Sequence, residues 1–416
     1  MDRHTATTAT SFTLNGKISR VEAATGERLS YSLRERLGRR DVKIGCNAGD
    51  CGACTVLVDG APVCACLMPT QQAAGRSVET LAGLVKSDRD ARALMESFQH
   101  HQAAQCGICT PGMMVSAVAL LRETPQPDQA QVQDALGGVL CRCTGYRKII
   151  DAVIGAHAAD DLIEAPQDLG QNARRLDGRA KVDGTEKFGD DVAPASALVA
   201  RVIRSPHASA SFTLGDVQQW QATQPAVSAV LTAKDVPGRN AFGVIPGFID
   251  QPVFAVSHVR FRGEAIACVV GSAEAINAID LSSFPVDWTV KPALSDIDEA
   301  LEPDAPQLFD DRPGNIMCGG FVQCGDADAA LANADFTVEA VHKTSFVEHG
   351  YIEPEAGFAE VVQGRLHVHA CTQAPAMDRE ALAYILDLPL ADIRIVPTAV
   401  GGGFGSRIDL SLQPFI

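Results

Sequence analysis

The sequence predicts an α+β protein of several domains, and three observations carry that prediction. At 416 residues the chain exceeds what one hydrophobic core organises, since chains beyond about 250–300 residues divide into domains. Strand patterns with hairpin turns run to Glu79, helical spacing dominates from Val78 to Ala159, and mixed patterns follow from Arg175. Cysteines at ligand-like spacings fall in both of the first two regions. The expected division is 10–79, 80–159, a linker at 160–174, 175–300 and 301–416.

Hydrophobic residues make up 46% of the chain and charged residues 21%, an ordinary globular balance, and the net charge of −16 excludes a phosphate-binding nucleic-acid surface. Most of the thirteen cysteines fall into two spaced groups rather than a disulfide framework, which fits a reducing compartment. The start Met1-Asp2-Arg3-His4-Thr5 has no apolar core and no twin-Arg motif, and no run is apolar enough for a membrane span. The expectation is a cytoplasmic protein.

Ser11–Leu14 and Ile18–Val21 read as strands around Asn15-Gly16, a hairpin dipeptide, and Leu29–Leu37 as a short helix ending at Gly38. Thr55–Val58 and Ala61–Val63 flank a second hairpin turn at Asp59-Gly60. Between the helix and this hairpin lie Cys46, Cys51 and Cys54, and Cys66 follows after eleven intervening residues. C-x4-C-x2-C with a distant fourth cysteine is the plant-type spacing for a [2Fe–2S] cluster; zinc sites favour paired C-x2-C units. Gly45, Gly49 and Gly52 give the loop the freedom to wrap its target. Cys64 is an alternative to Cys66 as the fourth ligand.

In the helical region, Cys106 and Cys109 precede Thr110-Pro111, where Thr110 suits a helix cap and Pro111 its first turn. Met113, Ala117, Leu120 and Leu121 recur at helical spacing, and Cys141 and Cys143 precede a helical stretch over Arg147–Ala158. C-x2-C, thirty-one residues and C-x-C fits zinc or an iron–sulfur cluster equally. Context favours the cluster, because a second electron carrier beside the first makes a wire.

Cys46, Cys51, Cys54 and Cys66 followed by Cys106, Cys109, Cys141 and Cys143 resemble the iron–sulfur part of the molybdenum hydroxylases, the xanthine oxidase and aldehyde oxidoreductase family. The resemblance covers residues 10–160. It implies a β-grasp ferredoxin-like domain, then a helical-bundle [2Fe–2S] domain of four helices, with Gln105 and Cys143 also contacting the pterin of the molybdenum cofactor. Flavin-containing relatives insert a whole FAD domain where this chain has only the polar stretch 160–174. The implied acceptor is therefore external, a flavoprotein subunit or another carrier, with no FAD on this chain.

From Arg175 the resemblance continues through Lys181–Gly184, Arg204–Ala208, Val259–Glu264, Glu348–Pro354 and Gly401–Gly405. It implies an α/β hammerhead-like domain, consistent with strand-like runs over Glu264–Val290 around a helix near Ala273–Ile279, then the start of a molybdopterin-binding domain. His207 reads as a packing or capping residue of a surface loop. His349, Glu353 and Glu355 read as a hydrogen-bonded loop, because Pro354 interrupts any helix that would face them together. Gly401–Gly405 follows the strand Ile393–Val396 and can offer backbone N–H groups to an anionic oxygen. By the resemblance the Phe404 amide, with Gly402, Gly403 and Gly405 around it, lies beside the metal's oxygen ligands, and Gln373 near its apical ligand.

Two departures stand out. Ile408 occupies the position of a purine-binding glutamate in xanthine oxidases. The family also places its catalytic base, a glutamate, in sequence beyond the counterpart of Ile416, so no residue here is assigned as catalytic. The apolar run Leu412–Ile416 reads as the opening of a buried helix, and the expectation is an incomplete molybdopterin-binding domain whose site a second chain or the remainder of a longer chain completes. The resemblance implies oxidation of an aromatic N-heterocycle with water as oxygen source, or alternatively of an aldehyde. A non-catalytic electron-transfer or assembly subunit is the rival from another class.

Overall fold

The computed structural model describes residues 7–157, 169–170 and 175–416. The expected linker at 160–174 lies outside them apart from Leu169 and Gly170.

The first unit is a five-stranded sheet of β1 (Thr7–Leu14), β2 (Lys17–Ala24), β3 (Thr55–Val58), β4 (Ala61–Cys64) and β5 (Ser77–Glu79), in the order β2-β1-β5-β3-β4. Both predicted hairpins form, with Asn15-Gly16 and Asp59-Gly60 at positive φ throughout, the twist that matches antiparallel neighbours. β3 is buried at all four positions and joins two cores. Val56 and Val58 point into the sheet's own cluster and Leu57 into the helical one, following the alternation of a strand. The helix expected over Leu29–Leu37 is instead an α-turn at Leu29–Tyr31 running into a π-turn at Ser32–Arg36. Side-chain ties account for the wider turn: Ser32 Oγ donates to Glu27 at 2.6 Å and Arg36 pairs with both Glu27 oxygens, while Leu29 and Leu33 stay buried.

The second unit comprises the helices Leu81–Ser87, Arg89–His100, Thr110–Glu123, Gln129–Leu136 and Arg147–Ile154. The last four form the implied bundle. Thr110–Glu123 is buried on nearly every side, as expected of a helix without a polar face, and packs against β3. Thr110 is not its cap: Cys109 holds that position without a side-chain hydrogen bond, and Thr110 is buried inside the first turn beside Pro111.

Residues 175–300 contain two three-stranded sheets. β6 (Val199–Arg204), β8 (Val227–Thr232) and β10 (Ala265–Gly271) form one in the order β6-β10-β8; β7 (Ala210–Leu214), β9 (His258–Val259) and β11 (Val286–Val290) form the other in the order β11-β7-β9. Trp220, Phe212 and Phe284 fill the core between them. His207 packs edge-on against Trp288 with centroids 5.3 Å apart, the packing role read from the sequence.

The last region carries β12 (Gly357–Val362), β13 (Arg365–Ala370) and β14 (Ile393–Pro397), with the helix Pro375–Leu386 packed on β14. Residues 412–416 form turns rather than the expected helix opening. The turn is held by Gln413, which donates to the buried Asp378 at 3.0 Å, and by Phe415, whose ring meets Phe254 at 5.5 Å. Among the described residues no helix is long and apolar enough to cross a membrane.

Candidate redox and cofactor site

Each group of four cysteines contains two close pairs. In the first, the Cys46 N–H donates to Cys51 Sγ at 3.3 Å and the Cys66 N–H to Cys54 Sγ at 3.4 Å. In the second, Cys106 interacts with Cys143 and Cys109 with Cys141, and Cys141 and Cys143 also touch each other. A zinc ion with 2.3 Å Zn–S bonds would need four sulfurs about 3.8 Å apart in one tetrahedron. Among the described residues no three cysteine sulfurs lie within 4.8 Å of one another. Two pairs suit two irons, each with two thiolates, and the donor set is the soft one that iron–sulfur clusters take.

The loops are shaped to present these sulfurs. Asn47, Gly49 and Gly52 adopt left-handed φ values of 52°, 90° and 67°, turning the N–H groups of Ala48, Asp50 and Cys51 onto Cys46 Sγ, each at 3.3 Å. Burial opposes ionisation of Cys46, yet these three amides outweigh it and hold the thiol below its ordinary value. In the second group the thiols of Cys143 and Cys109 act as donors that keep Cys106 and Cys141 low, and Thr144 Oγ adds a bond to Cys141 Sγ at 3.2 Å. Low thiols are the ones that shed protons to a metal. Cys64 stands near both Cys54 and Cys66, half-buried, with burial pushing its thiol up.

The two groups are stitched together. The Leu140 N–H donates to the Cys51 carbonyl at 2.9 Å, one residue before Cys141. A Cβ on Gly52 would sit 2.1 Å from the Gly138 carbonyl oxygen, so only glycine permits this approach. The exposed Gln105 lies beside Cys106, and its carbonyl accepts from Arg175 Nη1 at 2.8 Å and Lys181 Nζ at 3.1 Å.

The C-terminal loop forms a second centre. Gln373 Oε1 accepts the Gly405 N–H at 2.9 Å, so the two stretches singled out from the sequence do meet. A Cβ on Gly403 would lie 2.3 Å from that same oxygen. Phe404, a non-glycine residue, is held at φ 56°, and Gly402 and Gly405 at 103° and 101°. Strain of this kind persists only where surrounding structure imposes it.

The imposing structure is a buried ion-pair cluster that the sequence analysis did not foresee. Glu353 Oε2 accepts the Gly401 N–H at 2.7 Å and pairs with Arg407 Nη1, while Oε1 accepts the Gly189 N–H at 3.2 Å. Arg407, fully buried, also bonds the Glu353 carbonyl at 2.9 Å, reaches Glu355 at 3.1 Å, touches Cys371 Sγ, and lies over the Tyr351 ring at 4.2 Å. Burial disfavours its charge, but Glu353, Cys371 and Glu355 more than compensate and raise its pKa. The carboxylates are thus committed to an arginine, in keeping with the hydrogen-bonded loop expected there. Arg142 ties the second cysteine group to this stretch, donating to the His349 carbonyl at 2.9 Å.

The chain matches, in order, a 2Fe-2S iron-sulfur cluster binding domain over residues 12–82, a [2Fe-2S] binding domain over 80–154, an aldehyde oxidase and xanthine dehydrogenase a/b hammerhead domain over 183–292, and a molybdopterin cofactor-binding domain over 308–415. It belongs to the molybdenum hydroxylase family. The aldehyde oxidoreductase of Megalodesulfovibrio gigas is 30% identical over 416 residues, 93% of this chain and 45% of its own length. The solved aldehyde oxidoreductase from Desulfovibrio gigas superposes with a TM-score of 0.88 at 28% identity, over 98% of this chain and 47% of that one. The nicotinate dehydrogenase large molybdopterin subunit of Eubacterium barkeri is 35% identical over 59% of this chain and 57% of its length. The nicotine 6-hydroxylase small subunit of Paenarthrobacter nicotinovorans is 44% identical over 34% of this chain and 86% of its length. The chain spans about half the length of the aldehyde oxidoreductases that it matches.

Proposed function

We propose that this chain carries the electron path and part of the cofactor cradle of a molybdenum hydroxylase that oxidises an aromatic N-heterocycle of the pyridine class. The observation that carries the reading is the continuity from paired thiols to glycine loop. Cys46, Cys51, Cys54 and Cys66 would hold one [2Fe–2S] cluster and Cys106, Cys109, Cys141 and Cys143 the other, with Cys51 and Cys141 joined through the Leu140 hydrogen bond. Gln105 and Cys143 would contact the pterin. The molybdenum–pterin cofactor, when bound, supplies two-electron oxidation of a carbon with water as oxygen source.

The chain's own residues position it. Gln373 commits its amide oxygen to Gly405 and keeps its NH2 group as a donor toward a metal-bound ligand. Gly402 and Phe404, in left-handed geometry beside the Glu353–Arg407 pair, would present backbone amides together with Gly403. The heterocycle reading rests on the 35% identity to the nicotinate dehydrogenase large subunit over the cofactor-side half, and Ile408 argues against a purine. An aldehyde substrate is the second reading, favoured by the match to aldehyde oxidoreductases along 93% of the chain. Further polypeptide would supply the base and cover Phe336, Val338 and Phe346, each more than nine-tenths exposed. Electrons would leave to an external acceptor.

The test is iron and molybdenum content with EPR of the dithionite-reduced protein, purified with whatever co-elutes. Two distinct [2Fe–2S] signals, about four irons per chain and one molybdenum, with turnover of nicotinate-like pyridines and not of aldehydes, is the expected result. Two clusters without molybdenum would make the chain an electron carrier only; zinc in the second site would remove the wire.

A further inference from the structure

We propose that Glu360, His367 and His369 form a site for zinc or a similar imidazole-seeking divalent metal ion, separate from the cysteine groups and the glycine loop. β12 and β13 pair antiparallel, with Glu360 opposite His367 and Phe358 opposite His369. Because side chains alternate along a strand, His367 and His369 share one face, and Glu360 stands on that face across from one and diagonal to the other. One ligand atom of each residue lies within 4.8 Å of the other two, and among the described residues no other three His, Cys, Asp or Glu side chains converge in this way.

The local geometry is close to what the metal needs. His369 Nε2 and Glu360 Oε1 are 3.2 Å apart; the edge of a zinc tetrahedron with nitrogen and oxygen ligands is about 3.3 Å. The Phe358 ring stacks on the His369 imidazole with centroids 4.2 Å apart and planes at 9°, fixing the ring's orientation. The two histidines are half-buried and Glu360 is exposed, so an ion enters from solvent and keeps a position for water. Two imidazoles and one carboxylate select zinc, copper or nickel over magnesium or calcium. Arg394, the register neighbour of His367 on β14, is exposed and places a positive charge beside the site, so the imidazoles must hold the ion against it. Binding would clip β12 to β13, and an ion taken only by the folded sheet stabilises it.

Zinc ion alone, titrated into the cluster-loaded protein against a chromogenic chelator, tests the site. The unaltered protein should take up one zinc that the His367→Gln/His369→Gln double variant binds at least about tenfold more weakly, with visible absorbance showing both clusters intact in each. Zinc taken by thiols is the same in both proteins and cancels. Arg394→Ala should bind several-fold more tightly. Equal zinc affinity in the unaltered protein and the double variant, or no tightening in Arg394→Ala, overturns the proposal.

Discussion

Replacing Glu353 by glutamine keeps the side chain's shape and removes its charge, and the surroundings dictate the consequence. Glu353 accepts from two backbone amides, Gly401 and Gly189, and from Arg407, and is 2% exposed. The glutamine NH2 must face one of those donors, and Arg407 keeps only Glu355, whose side chain is 29% exposed, as counter-ion. Removing one partner of a buried pair costs about 3–5 kcal/mol, because the other charge stays buried. At about 2–4 °C per kcal/mol for a unit of this size, the melting transition of the 175–416 region should fall by on the order of 10 °C. Differential scanning calorimetry reads that transition, and visible absorbance reports whether the clusters survive. Adding Arg407→Met to Glu353→Gln removes the stranded charge and should recover at least half of the loss. A drop below 2 °C in the single variant, or a double variant worse than the single one, would refute the claim that this pair holds the glycine loop.

Four further outcomes follow from the structure. Gly403→Ala pushes only on the flexible Gln373 side chain, so the fold should persist with full iron while bound molybdenum falls about tenfold or more by metal analysis. Gly52→Ala drives Cβ into the Gly138 backbone at a φ of 67°, so both clusters should be lost together, read as iron content and visible absorbance. Cys66→Ser should abolish the first cluster's EPR signal while Cys64→Ser leaves it; the reverse would move the fourth ligand to Cys64. Asp378 offers a pH test. Burial raises its pKa from 3.8 to about 6, only partly offset by Thr372 and Gln413, so the folded state favours its neutral form. As pH rises from the ordinary carboxylate value through about 6, stability is lost. Asp378→Asn should therefore stabilise the protein by about 1–3 kcal/mol at pH 7–8 and hardly at all at pH 4, measured by urea unfolding.

Legibility in the sequence followed the range of the interaction. The cysteine groups declare themselves because Cys46/Cys51/Cys54, Cys106/Cys109 and Cys141/Cys143 are each locally spaced, and turns at Asn15-Gly16 and Asp59-Gly60 because their backbone demands are local. Gln373 and Phe404 could be linked across the chain only through a resemblance, not from residue pattern. Arg407 is not legible in the sequence because its partner is 54 residues away and a basic residue after a glycine loop ordinarily reads as solvated. The π-turn at Ser32–Arg36 depends on Glu27 bonding across it, and the cap at Cys109 carries no side-chain signal that would set it apart from Thr110. Glu360, His367 and His369 converge only once strand register is known.

The stretch 348–355 explains why the electron-carrying and cofactor-holding parts are not independent modules. Ile352 lies so close to Gly45, in the first cysteine loop, that a Cβ there would approach its Cγ2 to 2.7 Å. Arg142, between Cys141 and Cys143, bonds the carbonyl of His349, and Glu353 bonds the amide of Gly401. Each contact joins the side chain of Ile352, Arg142 or Glu353 to a glycine or to the main chain of the other part, so the stretch is tied at three points. Electron transfer falls off steeply with distance, and a spacing fixed in this way holds both thiol groups and the glycine loop in one frame. Clamping continues at the domain joint, where Lys43 bonds the buried Asp191 at 2.8 Å and Arg34 reaches the same carboxylate at 2.9 Å. Burial lowers the Lys43 pKa despite Asp191, while at Asp191 burial is outweighed by Lys43 and Arg34, which hold its carboxyl low, so the carboxylate stays charged between the two cations.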